Sequence, residues 1–538
     1  MTTLRALARQ AVRIGAALGL ASLGLAVAAQ PAGASTYTSI SGSGSSWASV
    51  ALDQWSSNVR QNGLVVNYNP DGSASGRQDY INNQVDFTGS DPPFRNGQDE
   101  LGGTGAENSG KYGFSYVPDT AGGTAFMYHL TVAGHLITNL RLAPLTIMKI
   151  FTGNISNWDD KRITRDYGKQ LPNLPITPVV RSDGSGATYF LTRWMEHLDP
   201  SLWNAFCQRV HPGIKLPCPQ TEFYPPNFGN AKAENGSTNV ANYITSSYGN
   251  GAIGYDEYAY ALNSHYPVVA VLNPAGYYVL PSASNVAVAL TKARINEDPH
   301  SQNFLQQNLD AVYTFKDPRS YPLSSYSYLI VPRQARGSPS PPPEFSSPAG
   351  KGRSLSTFID YFLCAGQAHI AELGYSPLPL KLVQGGLLQT DQIPGAVRGP
   401  NLHTLAGCAN PTFTNGVLTL LKNAPFPSPC QKVGEPLNCV VKNGKATTPG
   451  SGGSGSGKKA GASATASAGT VGGTGTGTGT STGTGTGATG GQVTGQVINL
   501  AASQSSQAPL AVVTALGILA AVATPPALAA WLRRRRRA

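Results

Sequence analysis

Apolar positions in the first part of the chain switch between two spacings. Trp47, Val50, Ala51, Trp55 and Val59 recur every three to four residues, which predicts a helix. Leu64-Val65-Val66-Asn67-Tyr68 reads as a strand, and Val85-Asp86-Phe87 as a short one that ends near Ser90-Asp91. Further along, the β-branched run Ile176-Thr177-Pro178-Val179-Val180 predicts a strand, followed by a glycine-rich turn and a helix over Tyr189 to Leu198. Ala143 to Phe151 and Ser354 to Leu363 are further helix candidates. This alternation predicts an α/β architecture with parallel sheets and helices on both faces, in which ligands sit beyond the carboxyl ends of the strands.

The two ends break this pattern. Arg5, Arg9 and Arg13 precede an apolar run from Ile14 to Ala29 and a small-residue Ala32-Gly33-Ala34, the pattern of a secretory signal peptide over residues 1–34. At the other end, 508–532 carries no charge and is long enough to span a bilayer core of about 30 Å. Arg533 to Arg537 follow directly; the positive-inside rule keeps them cytoplasmic and places the rest of the chain outside. These ends also change the meaning of the net charge of +11. Three Arg belong to the signal and five to the tail, which leaves 31 basic against 28 acidic residues, or +3, in the exported part. Such a balance does not suggest a nucleic-acid surface, and the arginine tail suits anionic lipid headgroups.

Between the ends, residues 447 to about 495 are nearly all Gly, Thr, Ser and Ala, too polar and small to bury a core. The stretch 447–507 is expected to be a tether, with a reach of roughly 40 Å for about 49 flexible residues. A proline-rich stretch, 337–352, reads as a surface insertion within a globular part of 35–446. At that length two lobes are expected rather than one core. Six cysteines in an exported chain without a Cys-x-x-Cys pair favour disulfides over zinc. Local spacing alone suggests Cys207 with Cys218, Cys364 with Cys408, and Cys430 with Cys439.

The candidate chemistry lies in the turns. Arg181-Ser182-Asp183-Gly184-Ser185-Gly186-Ala187-Thr188 joins a strand to a helix start, where unpaired N–H groups and the helix dipole favour an oxyanion. Arg181 adds a permanently charged fork of donors and Ser185 a hydroxyl. Asp183 and Ser185 could equally be helix caps, and Arg181 a surface ion-pair partner. Three other polar turns occupy comparable places: Ser41 to Trp47, Asp71 to Gly76, and Asp86 to Pro93. Together they supply hydroxyls, helix starts, one arginine and one carboxylate.

This series of motifs, completed by Gly251-Ala252-Ile253-Gly254-Tyr255-Asp256-Glu257-Tyr258-Ala259-Tyr260, resembles the phosphate-binding proteins of bacterial phosphate ABC transporters over about residues 38 to 380. The resemblance implies a type II periplasmic-binding-protein fold, with one lobe of about 38–120 and 290–445, the other of about 121–289, and a hinged cleft between them. It places Ser46 and Trp47 on the first ligand loop, where Thr and Phe are usual. Ser73 falls on a phosphate-binding serine, Asp91 on the aspartate that accepts the phosphate's proton, and Arg181 on the arginine of the same cleft. Ser185 and Gly186 match donors at the helix start, and Ala187 stands where Thr is common, keeping only its backbone donor. The implied ligand is inorganic phosphate, captured for a membrane permease by a monomer; the tether and the expected C-terminal membrane anchor lie outside the resemblance. No cofactor, metal or catalytic residue is implied.

Other classes stay open at this point. A phosphate scavenger or sensor without a transport role fits the same residues. A secreted phosphatase-like enzyme would need a nucleophile with a base or metal, and the chain has no Gly-x-Ser-x-Gly elbow and no His-Glu-x-x-His. A surface adhesin would keep the fold and lose the ligand.

Overall fold

In the computed structural model the described residues are 37–448, apart from 96, 98–104, 111, 335–338, 349 and 402–404. The expected signal, the tether beyond Thr448, the apolar stretch 508–532 and the arginine tail lie outside them. Among the described residues no helix is long and apolar enough to cross a membrane.

The chain begins with strand β1 (Ile40–Gly44), helix α1 (Ser49–Arg60), β2 (Val66–Asn69), α2 (Ser73–Ile81) and β3 (Phe87–Ser90), then the 16-residue β4 (Gly113–Tyr128). After α3 (Pro144–Phe151) come β5 (Thr177–Arg181), α4 (Gly186–Leu198), α5 (Pro200–Val210), β6 (Lys232–Glu234), α6 (Gly236–Thr245) and β7 (Ala252–Glu257). The last long elements are β8 (Ser324–Arg333), α8, numbered after the short α7 (Tyr258–Asn263), over Lys351–Leu363, and α9 (Leu380–Thr390). Every helix and strand expected from apolar spacing is present. Two helices begin earlier than their periodicity suggests, α2 at Ser73 and α4 at Gly186, so the polar turn residues form the first helical turn itself.

Eight strands form one sheet in the order β2-β1-β3-β8-β4-β7-β5-β6. Its two flanks are parallel, as expected: β1 with β2 and β3 on one side, β5 with β7 and β6 on the other. The centre departs from that expectation, because β8 pairs antiparallel with both β3 and β4, and β4 antiparallel with β7. The cause is β4. At about 3.3 Å per residue it extends some 50 Å, enough to run from the first flank into the second, and β8 returns along it.

The helices cover this sheet with the faces their spacing predicts. α1 buries Ala51, Leu52, Trp55 and Val59, and Trp55 stacks on Phe362 of α8 with ring centroids 5.0 Å apart. α4 buries nearly its whole length, including Phe190, Leu191, Trp194 and Met195. The disulfides pair as expected, Cys207–Cys218, Cys364–Cys408 and Cys430–Cys439. The proline-rich stretch is less superficial than its composition suggests. Phe345 is buried within a short helix, and Lys351, the first residue of α8, donates to Asp86 at 2.8 Å.

Candidate functional site

The turns that follow β1, β2 and β3 supply one set of candidate residues, and the end of β5 with the turn after it supplies another. All eight are buried. Gly44 makes the first turn possible: its φ of +127° is accessible to glycine, and a Cβ there would lie 2.1 Å from the Gly89 carbonyl. Ser45, Ser46 and Trp47 follow in sequence, all buried.

Asp91, just past β3, is the centre of the first set. Its carboxylate accepts from the Ser45 hydroxyl at 2.9 and 3.0 Å and from the Ser73 hydroxyl at 3.3 Å. The second set meets it directly, since a Cβ on Gly186 would stand 2.1 Å from Asp91 Oδ2. Only a glycine lets the start of α4 approach a carboxylate so closely. Burial pushes the Asp91 carboxyl up, while hydroxyls including those of Ser45 and Ser73 and the charge of Arg181 pull it back.

Arg181, the last residue of β5, is 1 % exposed and fully engaged. Nε donates to Asp183 Oδ1 at 2.8 Å and Nη2 to Asp183 Oδ2, so the carboxylate takes one edge of the fork. Nη2 also donates to Ser46 Oγ at 2.8 Å, and Nη1 to Ser237 Oγ at 3.1 Å. The two hydroxyls lie 2.9 Å from each other. Tyr255, from the middle of β7, braces this corner: its hydroxyl accepts from Arg181 N–H at 3.2 Å and bonds Thr188 Oγ1 at 2.7 Å.

The remaining candidates contribute backbone. The Trp47 ring turns away and packs edge-on against Tyr375, whose hydroxyl donates to the Trp47 carbonyl at 2.6 Å. Ser185 N–H is spent on the Glu222 carbonyl at 2.9 Å, which leaves its hydroxyl without a partner among the described residues. Among those residues, the N–H groups of Ser46, Trp47, Ser73, Gly186 and Ala187 have no protein acceptor either. Buried backbone donors are almost always paired, so five orphans beside one arginine and one carboxylate form a cradle for an anion that carries acceptor oxygens.

All eight residues nominated from sequence thus lie in one cluster. Three partners were not nominated. Ser45, not Ser46, is the hydroxyl on Asp91. Asp183, readable as a cap, is instead the fixed counter-ion of Arg181 and accepts from Gly236 N–H at 2.9 Å. Ser237 enters from the start of α6; Asn235-Gly236-Ser237 after β6 repeats the strand, glycine, hydroxyl order of the other turns and could have been found that way. A separate apolar hollow of about 810 Å³, lined by Leu290, Ile295, Phe304, Leu380 and Leu418 among others, contains none of these groups.

Comparison with known proteins points to the same region of the chain. Residues 29–365 match the family described as the PBP superfamily domain. The phosphate-binding protein PstS of Pasteurella multocida is 27% identical over 350 residues, covering 64% of this chain and 88% of that protein. The PstS of Xylella fastidiosa strain Temecula1 is 28% identical over 347 residues, covering 64% and 83%. The crystal structure of a phosphate-binding protein from Stenotrophomonas maltophilia aligns with 69% of this chain and 99% of its own, at 16% identity and a TM-score of 0.46.

Proposed function

The chain belongs to the PBP superfamily, and from that premise we propose that it captures inorganic phosphate, as an extracytoplasmic binding protein of phosphate import. The observation that carries this reading is the packing of Ser45, Ser73 and Gly186 against the buried carboxylate of Asp91, with Ser46 on Arg181 and, among the described residues, no protein acceptor for the N–H groups of Ser46, Trp47, Ser73, Gly186 and Ala187. Relatives named as phosphate-binding proteins support it.

The chemistry selects the ligand. A dehydrated dianion needs many donors, and hydrogen bonds to charged groups contribute roughly 1.5 to 3 kcal/mol each, so a handful suffices for micromolar binding at about 8 kcal/mol. Asp91 opposes any anion that lacks a proton. Hydrogen phosphate brings one at neutral pH and can donate it to the carboxylate; sulfate cannot, and two facing acceptors then reject it. Ser46, Trp47, Ser73, Ser185, Gly186 and Ala187 donate, Arg181 fixes the corner of the cleft, and Asp91 checks for the proton.

In this reading the parallel flanks are two lobes, about 38–120 with 290–445 and about 121–289, and phosphate favours their closure because only the closed form brings both sets of donors to one ligand. The closed monomer hands its ligand to a permease. The uncharged stretch 508–532 holds it to the cell membrane, with 447–507 as tether. Calorimetric titration with phosphate, arsenate and sulfate tests the central step. Phosphate and arsenate are expected to compete for one site and sulfate to give no heat; sulfate binding as tight as phosphate would remove the role given to Asp91.

A further inference from the structure

We propose that Asp256 is a proton-accepting positioning residue: it takes up a proton as phosphate settles beside Arg181, so that each captured phosphate draws a proton in with it. The inference rests on the phosphate reading above and adds to it the charge balance of the occupied cleft.

Asp256 lies in β7, two residues after Gly254, and Gly254 pairs with Val179, two residues before Arg181. The parallel register therefore sets Asp256 level with Arg181 on neighbouring strands. The side chain is 2 % exposed. Oδ1 accepts from Glu257 N–H at 2.8 Å, but Oδ2 has no donor among the described residues. An ionised carboxylate with a bare buried oxygen is costly.

The groups around it sharpen the imbalance. Arg181 and Asp183 face it from β5 and the following turn, Ser237 from the start of α6, Tyr260 from α7, Glu257 from β7 itself, and Tyr375 from the loop before α9. Arg181 is the cation in this group, and Asp183 already holds one edge of its fork. With Asp91 on the opposite wall, the protein's own carboxylates outnumber the arginine before any ligand enters. A phosphate dianion adds more negative charge to a desolvated space, and buried uncompensated charge costs several kcal/mol.

Of Asp183, Asp91 and Asp256, protonation of Asp256 is the least demanding relief. Asp183 is locked by three donors, and Asp91 must stay ionised to accept the ligand's proton. Among the described residues Asp256 Oδ2 accepts no donor in hydrogen-bond geometry, although the Ser237 hydroxyl lies near enough to help Arg181 hold the carboxyl down. Burial already pushes this carboxyl up to about 6, with Arg181 pulling it down, so uptake near neutral pH is a short step. The proton comes from bulk water and adds to Oδ2; no bond of the phosphate forms or breaks.

Calorimetry of phosphate binding at pH 7.5, in two buffers of different ionisation heat, counts the protons taken up. The native protein is expected to take up about one proton more per phosphate than either Asp256→Asn or Asp256→Val. Its Kd is expected to weaken relative to both variants by about tenfold per pH unit above pH 7. Thermal melts establish that the variants are folded, and two substitutions of different polarity separate loss of the proton from loss of shape. Native protein that binds phosphate with the same proton count as both folded variants overturns the inference alone. Native protein that gives no phosphate isotherm overturns the phosphate reading and this inference with it.

Discussion

Arg77 of α2 donates from Nη2 to both oxygens of Glu222, at 2.7 and 2.9 Å, and the two residues come from opposite flanks of the sheet. Arg77 is fully buried and also pairs with Glu107 at 2.8 Å and with Ser90 Oγ at 2.9 Å. Both ends of the contact lead to the candidate site. Ser73 begins the same helix as Arg77, and the Glu222 carbonyl holds Ser185 N–H. In this structure the pair joins the elements that carry the two sets of donors.

Glu222→Gln should weaken phosphate binding without changing which anion is chosen. Glu107 still compensates Arg77, so the expected loss is about 1–2 kcal/mol, or roughly fivefold to thirtyfold in Kd, less than for a pair left wholly uncompensated. Titration calorimetry reads the loss, and small-angle scattering should show the phosphate-saturated variant more expanded than the native protein. Unchanged affinity would mean that the contact plays no part in closure.

Asp91→Asn should remove anion selectivity while leaving an anion site. The amide can donate to a sulfate oxygen where the carboxylate could only repel it. A phosphate over sulfate preference of about 10⁴, typical of polar sites that reject a mismatched ligand, should fall below about 10². Competition of sulfate against labelled phosphate measures the ratio directly.

Gly186→Ala should abolish binding more completely than its size suggests. The added methyl would stand 2.1 Å from Asp91 Oδ2 and 2.4 Å from its Cβ, so either the carboxylate or the first turn of α4 must move. Errors of an ångström in a preorganised site cost about a hundredfold. A thermal melt shows whether the variant folds and equilibrium dialysis with phosphate whether it binds, which separates the two effects.

Asp360→Asn should stabilise the protein, and only above acid pH. Burial raises the Asp360 carboxyl to about 7, helped by the charge of Asp391, and Oδ1 has no donor among the described residues. Because the folded value lies above the unfolded 3.8, the native state holds more protons than the unfolded chain between those values. Stability from this group is therefore full below about pH 4 and lost as pH rises through 7. The amide removes that loss. A gain of about 1–3 kcal/mol is expected at pH 8 and none at pH 4, measured by urea unfolding at both values.

The parts of the site that sequence made legible are those built within a few residues. Arg181 to Thr188, Asp71 to Gly76 and Ser41 to Trp47 each carry their strand, glycine and helix start in one continuous stretch, so their chemistry shows in local order. The disulfides span 9 to 44 residues and follow local spacing in the same way. What was hidden depends on distant partners. Whether Ser45 or Ser46 faces Asp91 is decided by the twist of the chain after Gly44, and Asp183 looks like a cap until Gly236, from after β6, is seen donating to it. The antiparallel centre escaped for the same reason: nothing near 113–128 shows that β8, some 200 residues later, will lie against it.

That wedge of late sequence has a biosynthetic consequence. Until residues 324–333 emerge, β3 and β4 face an empty slot and carry rows of unsatisfied ladder groups, a template for pairing with another chain. Pairings of such sequence separation are slow to form. A chain made amino end first therefore carries these open strand edges until its later sequence arrives, and the slot between β3 and β4 is where the unfinished fold is open to mispairing.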